Sequence, residues 1–240
     1  MEQIITIDIG NTRAKYAIFE GNSIVENGVF SIDNRELETI IDAHPRLKRG
    51  ILSTVNGHID DVKDQAKAID LKVLTCDLKL PFSIGINNPN EVGADLLAAA
   101  AAAFDRFKGN NVLVIDAGSC ITYQIMNKEG VFVGGAISPG VQLRLKAMCE
   151  HTALLPLVEA NYNPSLVGTD TITCIQSGVM NGIRAELSGL IDRYSEIYED
   201  LIIFIGGGDN NFLDKKLENR IFADPNLVMN GLRIILEYNS

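Results

Sequence analysis

The chain carries one pattern twice, and that repetition constrains its fold more than any other feature. Ile4-Ile5-Thr6-Ile7-Asp8-Ile9-Gly10 is an apolar run that closes on Asp-x-Gly. A strand-like run from Ala14 to Glu20 follows, then a Gly21-Asn22 turn and a third run from Ser23 to Ser31. Val112-Leu113-Val114-Ile115-Asp116-Ala117-Gly118 closes in the same way, followed by Ile121 to Met126, a Lys128-Glu129-Gly130 turn and Val131 to Ile137. A repeated unit of strand, Asp-x-Gly loop, strand, turn and strand predicts two similar domains facing each other across a cleft. The 240 residues suit two units of roughly 100–150 residues, and Lys108 to Asn111 marks the boundary, giving domains 1–110 and 111–240. After each hairpin run strands alternate with helices. The fold class is therefore α/β, with mixed sheets flanked by helices.

Helices are predicted from Arg35 to Ala43, Ile59 to Ile69 and Glu91 to Phe107, the last rich in alanine and leucine. Strands Gly50 to Val55 and Lys72 to Cys76 accompany them, and Pro81 to Asn90 is irregular. In the second half, helices are predicted after Pro139-Gly140 to Glu150, from Thr169 to Tyr194 with a kink near Gly178 or Gly182, near Asn211 to Leu217, and from Leu227 to Tyr238. A strand from Leu201 to Ile205 ends in Gly206-Gly207-Gly208.

Asp and Glu total 31 against 21 Lys and Arg, a formal net charge of −10. Such a surface repels nucleic acid and anionic membranes, so neither is expected as a partner. The N-terminus does not resemble an export signal, and the longest apolar stretch, Leu96 to Phe104, is about half a bilayer span. Cys76, Cys120, Cys149 and Cys174 lack C-x-x-C spacing, and His44, His58 and His151 lack a metal-ligand pattern. A reducing cytoplasm is the expected location. The same acidity demands that any anionic substrate be neutralised locally.

The repeated loop has the chemistry to do this. Glycine lets backbone N–H groups approach phosphate oxygens, and Asn11, Thr12 and Ser119 add side-chain donors, with Lys15 a positive charge. Asp8 and Asp116 can hold a cation that bridges to phosphate. The plainer alternative is that each Asp caps its own turn. Gly206-Gly207-Gly208 suits close approach of a nucleotide base or ribose, although glycine-rich strand ends are common. No P-loop or strand-linked G-x-G-x-x-G occurs. Phosphoryl transfer also needs a group to deprotonate the acceptor, and Asp95, entering an apolar helix, can be that base or simply a carboxylate favoured at a helix N-terminus. Arg144 and Lys146 read as a solvated helix face or as a phosphate clamp.

Taken together, Asp8-Ile9-Gly10-Asn11-Thr12, Gly93-Ala94-Asp95, Asp116-Ala117-Gly118-Ser119, Gly134-Gly135-Ala136-Ile137-Ser138-Pro139-Gly140 and Gly168-Thr169-Asp170-Thr171 resemble, in order, the motifs of type III pantothenate kinases. That resemblance implies two duplicated ribonuclease-H-like domains of the acetate and sugar kinase and actin-like ATPase superfamily, with dimerisation helices in the second. It implies ATP-dependent phosphorylation of pantothenate, the first step of coenzyme A biosynthesis, by a homodimer using Mg²⁺ and a monovalent cation, K⁺ or NH₄⁺. By the same resemblance Asp8, Ile9, Gly10, Asn11, Thr12, Arg13, Ala14 and Lys15 form the first ATP loop, Ser119 the second, and Asp8 also serves Mg²⁺. Asp116 falls on the monovalent-cation ligand and Asp95 on the catalytic base. Ile86, Gly93, Ala94, Asp95 and Leu96 fall on the pantothenate pocket, with Thr171 reaching it across the dimer. Leu96 stands where the family usually has Arg, and Ile86 where Tyr is common. A non-catalytic ATP-binding accessory protein and a kinase of another small hydroxyl compound are the alternative readings.

Overall fold

A computed structural model describes residues 2–10, 13–54, 58–75, 77–207 and 221–240. The chain divides into two compact units, one of Met1–Lys108, Gly130–Phe132 and Asn226–Ser240, the other of Gly109–Glu129 and Val133–Pro225. Six α-helices are described: α1 (Glu36–Asp42), α2 (Ile59–Gln65), α3 (Ala94–Arg106), α4 (Val141–Glu150), α5 (Thr171–Ile197) and α6 (Leu227–Tyr238).

In the first unit, β1 (Gln3–Ile9), β2 (Ala14–Glu20) and β3 (Ser23–Phe30) form the antiparallel run. β4 (Leu47–Thr54) and β5 (Asp70–Val73) extend it in parallel on the other side of β1, giving the order β3-β2-β1-β4-β5. Side chains alternate across a strand, which divides β1 between two environments. Ile5, Ile7 and Ile9 pack with Leu37 and Ile41 of α1 and Val62 of α2. Ile4, Thr6 and Asp8 therefore face the opposite side, where the Thr6 hydroxyl donates to Met229 Sδ of α6 at 3.3 Å.

The second unit repeats the plan. β7 (Val112–Ala117), β8 (Cys120–Met126) and β9 (Val131–Pro139) form the hairpin run, and β10 (Ile202–Gly206) and β11 (Ile221–Ala223) the parallel extension. The order β11-β10-β7-β8-β9 matches that of the first unit, strand for strand. The duplication suspected from two Asp-x-Gly loops is thus one of topology. Leu113, Ile115 and Ala117 of β7 share a core with Val141 and Leu145 of α4 and Ile175, Val179 and Ile183 of α5. The short β6 (Ser83–Ile84) pairs in parallel with Val131 and Phe132, within the first unit.

Against the expected division into 1–110 and 111–240, the first unit also takes in Gly130–Phe132 and Asn226–Ser240, which carries α6; the other differences from the sequence reading are local. α5 runs as one helix of 27 residues through Gly178 and Gly182, with Ile175, Val179 and Ile183 in the core. β11 has only three residues, too few for a periodic signal. The helix expected near Asn211 to Leu217 lies outside the described residues. No described helix is long and apolar enough to cross a membrane.

The alanine run of α3 has a packing reason. Leu97 through Ala103 are all buried, and at Gly231 a Cβ would lie 1.7 Å from the Ala98 carbonyl oxygen of α3. Backbone there touches backbone. Gly231→Ala should therefore destabilise the fold by about 1–3 kcal/mol despite the better helix propensity of alanine. Gly189→Ala on α5, where a Cβ meets nothing within 4 Å, should stabilise it by up to about 1 kcal/mol. Denaturant titration of both variants checks the contrast.

Candidate active site

In the first unit the site is built on the end of β1. Asp8 pairs in register with Lys15 of β2 and Ser53 of β4, so all three side chains share one face. Lys15 is exposed, Asp8 half-buried and Ser53 fully buried. Burial drives the Asp8 carboxyl up to about 6; the nearby Asp95 adds to the rise, while Ser53 and Lys15 oppose it. The Ser53 hydroxyl lies beside that carboxyl yet has no well-formed hydrogen bond among the described residues. Gly10 closes the loop by donating to the Arg13 carbonyl at 3.1 Å. Ile9 and Ala14 are buried core residues, so only their backbones can serve a ligand, while Arg13 is exposed. Asn11 and Thr12 lie outside the described residues.

Asp95 opens α3. Its Oδ1 accepts from the Leu96 amide at 2.9 Å and folds back over Gly93, where a Cβ would lie 2.5 Å from that oxygen. Burial raises its pKa, opposed by the amides of Leu96 and of Asp95 itself. Ala94 and Leu96 are half-buried beside it, and Ile86 is half-buried just beyond β6. The charge of Asp95 reaches Asp8; α6 packs on β1, and α3 packs on α6 and β4.

In the second unit Asp116 ends β7 in register with Thr122 of β8 and Gly206 of β10. Gly207, at φ +97°, lies so close that a Cβ would sit 2.3 Å from the Ala117 carbonyl oxygen. Its freedom serves strand contact, a use the sequence reading did not foresee for the glycine cluster; Gly208 is outside the described residues. The Gly118 amide donates to the Cys120 carbonyl at 2.9 Å, leaving Ser119 exposed at the loop tip. Thr171 is the exposed first residue of α5, fixed by a capping box in which Asp170 accepts from the Thr173 amide at 2.8 Å. Arg144 is held by the Glu186 carboxylate, the Ser138 hydroxyl and the Pro139 carbonyl, so it is not a free cation for a ligand. Lys146 lies exposed on α4.

Sequence reading missed Ser53. The signal was an apolar strand ending in Ser-Thr, but its meaning depends on parallel pairing with β1, which no local pattern reveals.

Raising the Asp8 carboxyl to about 6 gives a pH-dependent cost. Between pH 4 and 6, roughly, the folded state binds more protons at Asp8 than the unfolded state, so stability falls as pH rises through that window and stays lower above it. The loss is up to about 3 kcal/mol. Asp8→Asn should remove it: the stability difference between variant and wild type should open between roughly pH 4 and 6 and be flat above about 7, read by urea unfolding across pH.

Residues 4–193 match the sequence profile of the type III pantothenate kinase family. A type III pantothenate kinase of Christiangramia forsetii is 40% identical over 238 residues, covering 98% of each chain. A solved structure from Campylobacter jejuni, a proposed Baf family transcriptional activator, aligns with a TM-score of 0.65 at 22% identity over 98% of both chains. Glucokinase from an Antarctic psychrotroph aligns at a TM-score of 0.51 and 13% identity over 99% of both. These two likenesses speak for the fold alone. The near full-length match at 40% identity speaks for more: the chain belongs to the type III pantothenate kinase family, the enzymes that phosphorylate pantothenate in coenzyme A biosynthesis.

Proposed function

We propose that this chain transfers the γ-phosphoryl group of ATP to the primary hydroxyl of pantothenate, with Asp95 as the base. The observation that carries the reading is a pair of carboxylates in the first unit, Asp95 in a partly desolvated place at the start of α3 and Asp8 near enough to feel its charge. Desolvation raises Asp95 toward the range a general base needs, and the α3 amides hold its carboxylate in one orientation. The hydroxyl proton passes to Asp95, the oxygen forms its bond to the γ-phosphorus, and the bond to the bridging oxygen breaks with release of ADP.

The first loop (Asp8, Ile9, Gly10, Asn11, Thr12, Arg13, Ala14 and Lys15) and Ser119 serve the phosphates. Asp8, with the buried Ser53 hydroxyl beside it, suits a hydrated Mg²⁺. Bound Mg²⁺ supplies charge neutralisation on the polyphosphate. Among the described residues no three His, Cys, Asp or Glu side chains could hold a metal alone, so nucleotide oxygens and water complete any such shell. Asp116 is assigned to the monovalent cation, K⁺ or NH₄⁺. Gly93, Ala94, Ile86 and Leu96 are assigned to the acceptor pocket, with Thr171 supplied by a second copy. Leu154, Leu166, Val167 and Ile172 support that dimer: they leave apolar side chains 91%, 80%, 75% and 51% exposed, and three of them flank Thr171 in sequence.

Asp95→Asn should lower kcat for pantothenate-dependent ADP formation by roughly 10²- to 10⁴-fold while nucleotide affinity holds. In the wild type, activity should fall as pH drops through the raised Asp95 pKa, placing the acid limb above the ordinary carboxylate range. Full turnover by Asp95→Asn would take the base role from it, and nucleotide binding without pantothenate-dependent turnover would favour an accessory role. Leu96→Arg should restore a charge-assisted bond to the pantothenate carboxylate and lower its KM by roughly 10- to 150-fold, leaving the KM for ATP alone. An unchanged KM would mean that another group holds the carboxylate. Light scattering should give twice the chain mass, and Val167→Glu should give a monomer with impaired pantothenate use.

A further inference from the structure

Arg144 lies in the first part of α4, and its guanidinium turns back on the turn that precedes its own helix. Nε donates to the Pro139 carbonyl at 2.8 Å and Nη2 to the Ser138 hydroxyl at 2.9 Å. The same Nη2 pairs with Oε2 of Glu186 on α5, whose other oxygen accepts from the Tyr123 hydroxyl of β8 at 2.9 Å. Arg144 and Glu186 side chains are only 20% and 24% exposed, and Tyr123 is fully buried. One cation thus joins the β9–α4 turn, α5 and the buried middle of β8. Such a contact is charge-assisted at both ends and largely shielded from water.

The turn it holds is the wall of the second Asp-x-Gly loop. The Gly140 amide donates to the Ser119 carbonyl at 3.0 Å, and a Cβ on Gly140 would lie 2.3 Å from the Gly118 carbonyl oxygen and 2.6 Å from that of Ser119. With no side chain between them, a displacement of Ser138, Pro139 and Gly140 passes directly to Gly118 and Ser119. Tyr123 adds a second tie, since it pairs with Ile115, one residue before Asp116.

We propose that Arg144 is a positioning residue for the nucleotide, holding the Gly118-Ser119 loop in its phosphate-binding place through the Ser138–Gly140 turn. It does not touch the ligand. This inference rests on the reading of Ser119 as a phosphate contact.

The test compares wild type with Arg144→Met, Arg144→Lys and Glu186→Gln, using binding of a non-hydrolysable ATP analogue, steady-state kinetics and hydrogen exchange. Arg144→Met should weaken the analogue about 5- to 50-fold and raise the KM for ATP by a similar factor. The KM for pantothenate should change less than twofold or so, and exchange of the Gly118 to Cys120 amides should quicken while β10 stays protected. Arg144→Lys, which keeps the charge but not the fork, should recover part of the loss, and Arg144→Met should add little in a Glu186→Gln background. Unchanged analogue affinity in folded Arg144→Met protein overturns the inference, whether or not the loop loosens or the melting temperature falls. If wild type binds the analogue but does not turn over pantothenate, the acceptor reading fails while the Arg144 comparison still decides this one. A wild type that binds no nucleotide overturns both.

Discussion

The cost of keeping a carboxylate at the end of a buried strand underlies the first unit. Asp8 occupies the face of β1 on which α6 packs, so it loses water that a surface aspartate would keep, and Asp95 adds a second negative charge nearby. A fold selected for stability alone would place an apolar residue at that strand end. The pair is intelligible as an electrostatic demand that a bound cation would satisfy, and the buried Ser53 hydroxyl lies beside the same carboxylate. The net charge of −10 sharpens the point. The surface as a whole does not attract a nucleotide, so attraction rests on local groups.

The second unit repeats the strand plan but shapes its loop differently. Its Asp-x-Gly turn is enclosed by backbone: Gly140 against Gly118 and Ser119, Gly207 against Ala117. Where backbones meet without side chains the loop has little room to shift, and its place is set by whatever anchors the neighbouring turns. The same economy recurs in the first unit at Gly231 and Ala98, where the helix that carries Asp95 lies directly on α6. Small residues at these contacts are geometric requirements, and their effect reaches the side chains that would do chemistry.

Much of this was legible in the chain. The hairpin runs, the alanine-rich helix beginning beside Asp95 and the C-terminal helix follow from alternation, turn residues and propensity, and the structure places them within a few residues of expectation. Gly178 and Gly182 do not interrupt α5, whose stripe of Ile175, Val179 and Ile183 packs in the core of the second unit. Ser53 and the engagement of Arg144 were not legible. Each depends on a partner far along the chain, Asp8 for one and Glu186 for the other.

By itself the sequence determined that a strand, an Asp-x-Gly loop and a hairpin occur twice, which is information carried by local period and composition. It also carried the ordered motifs that mark the family. Only the tertiary structure decided which face of β1 Asp8 occupies relative to its helices, that Ser53 lies beside it, and that Arg144 is spent on Glu186 and the turn before α4. The physical reason is that pleat and propensity act between near neighbours, whereas desolvation and ion pairing depend on what long-range packing brings alongside.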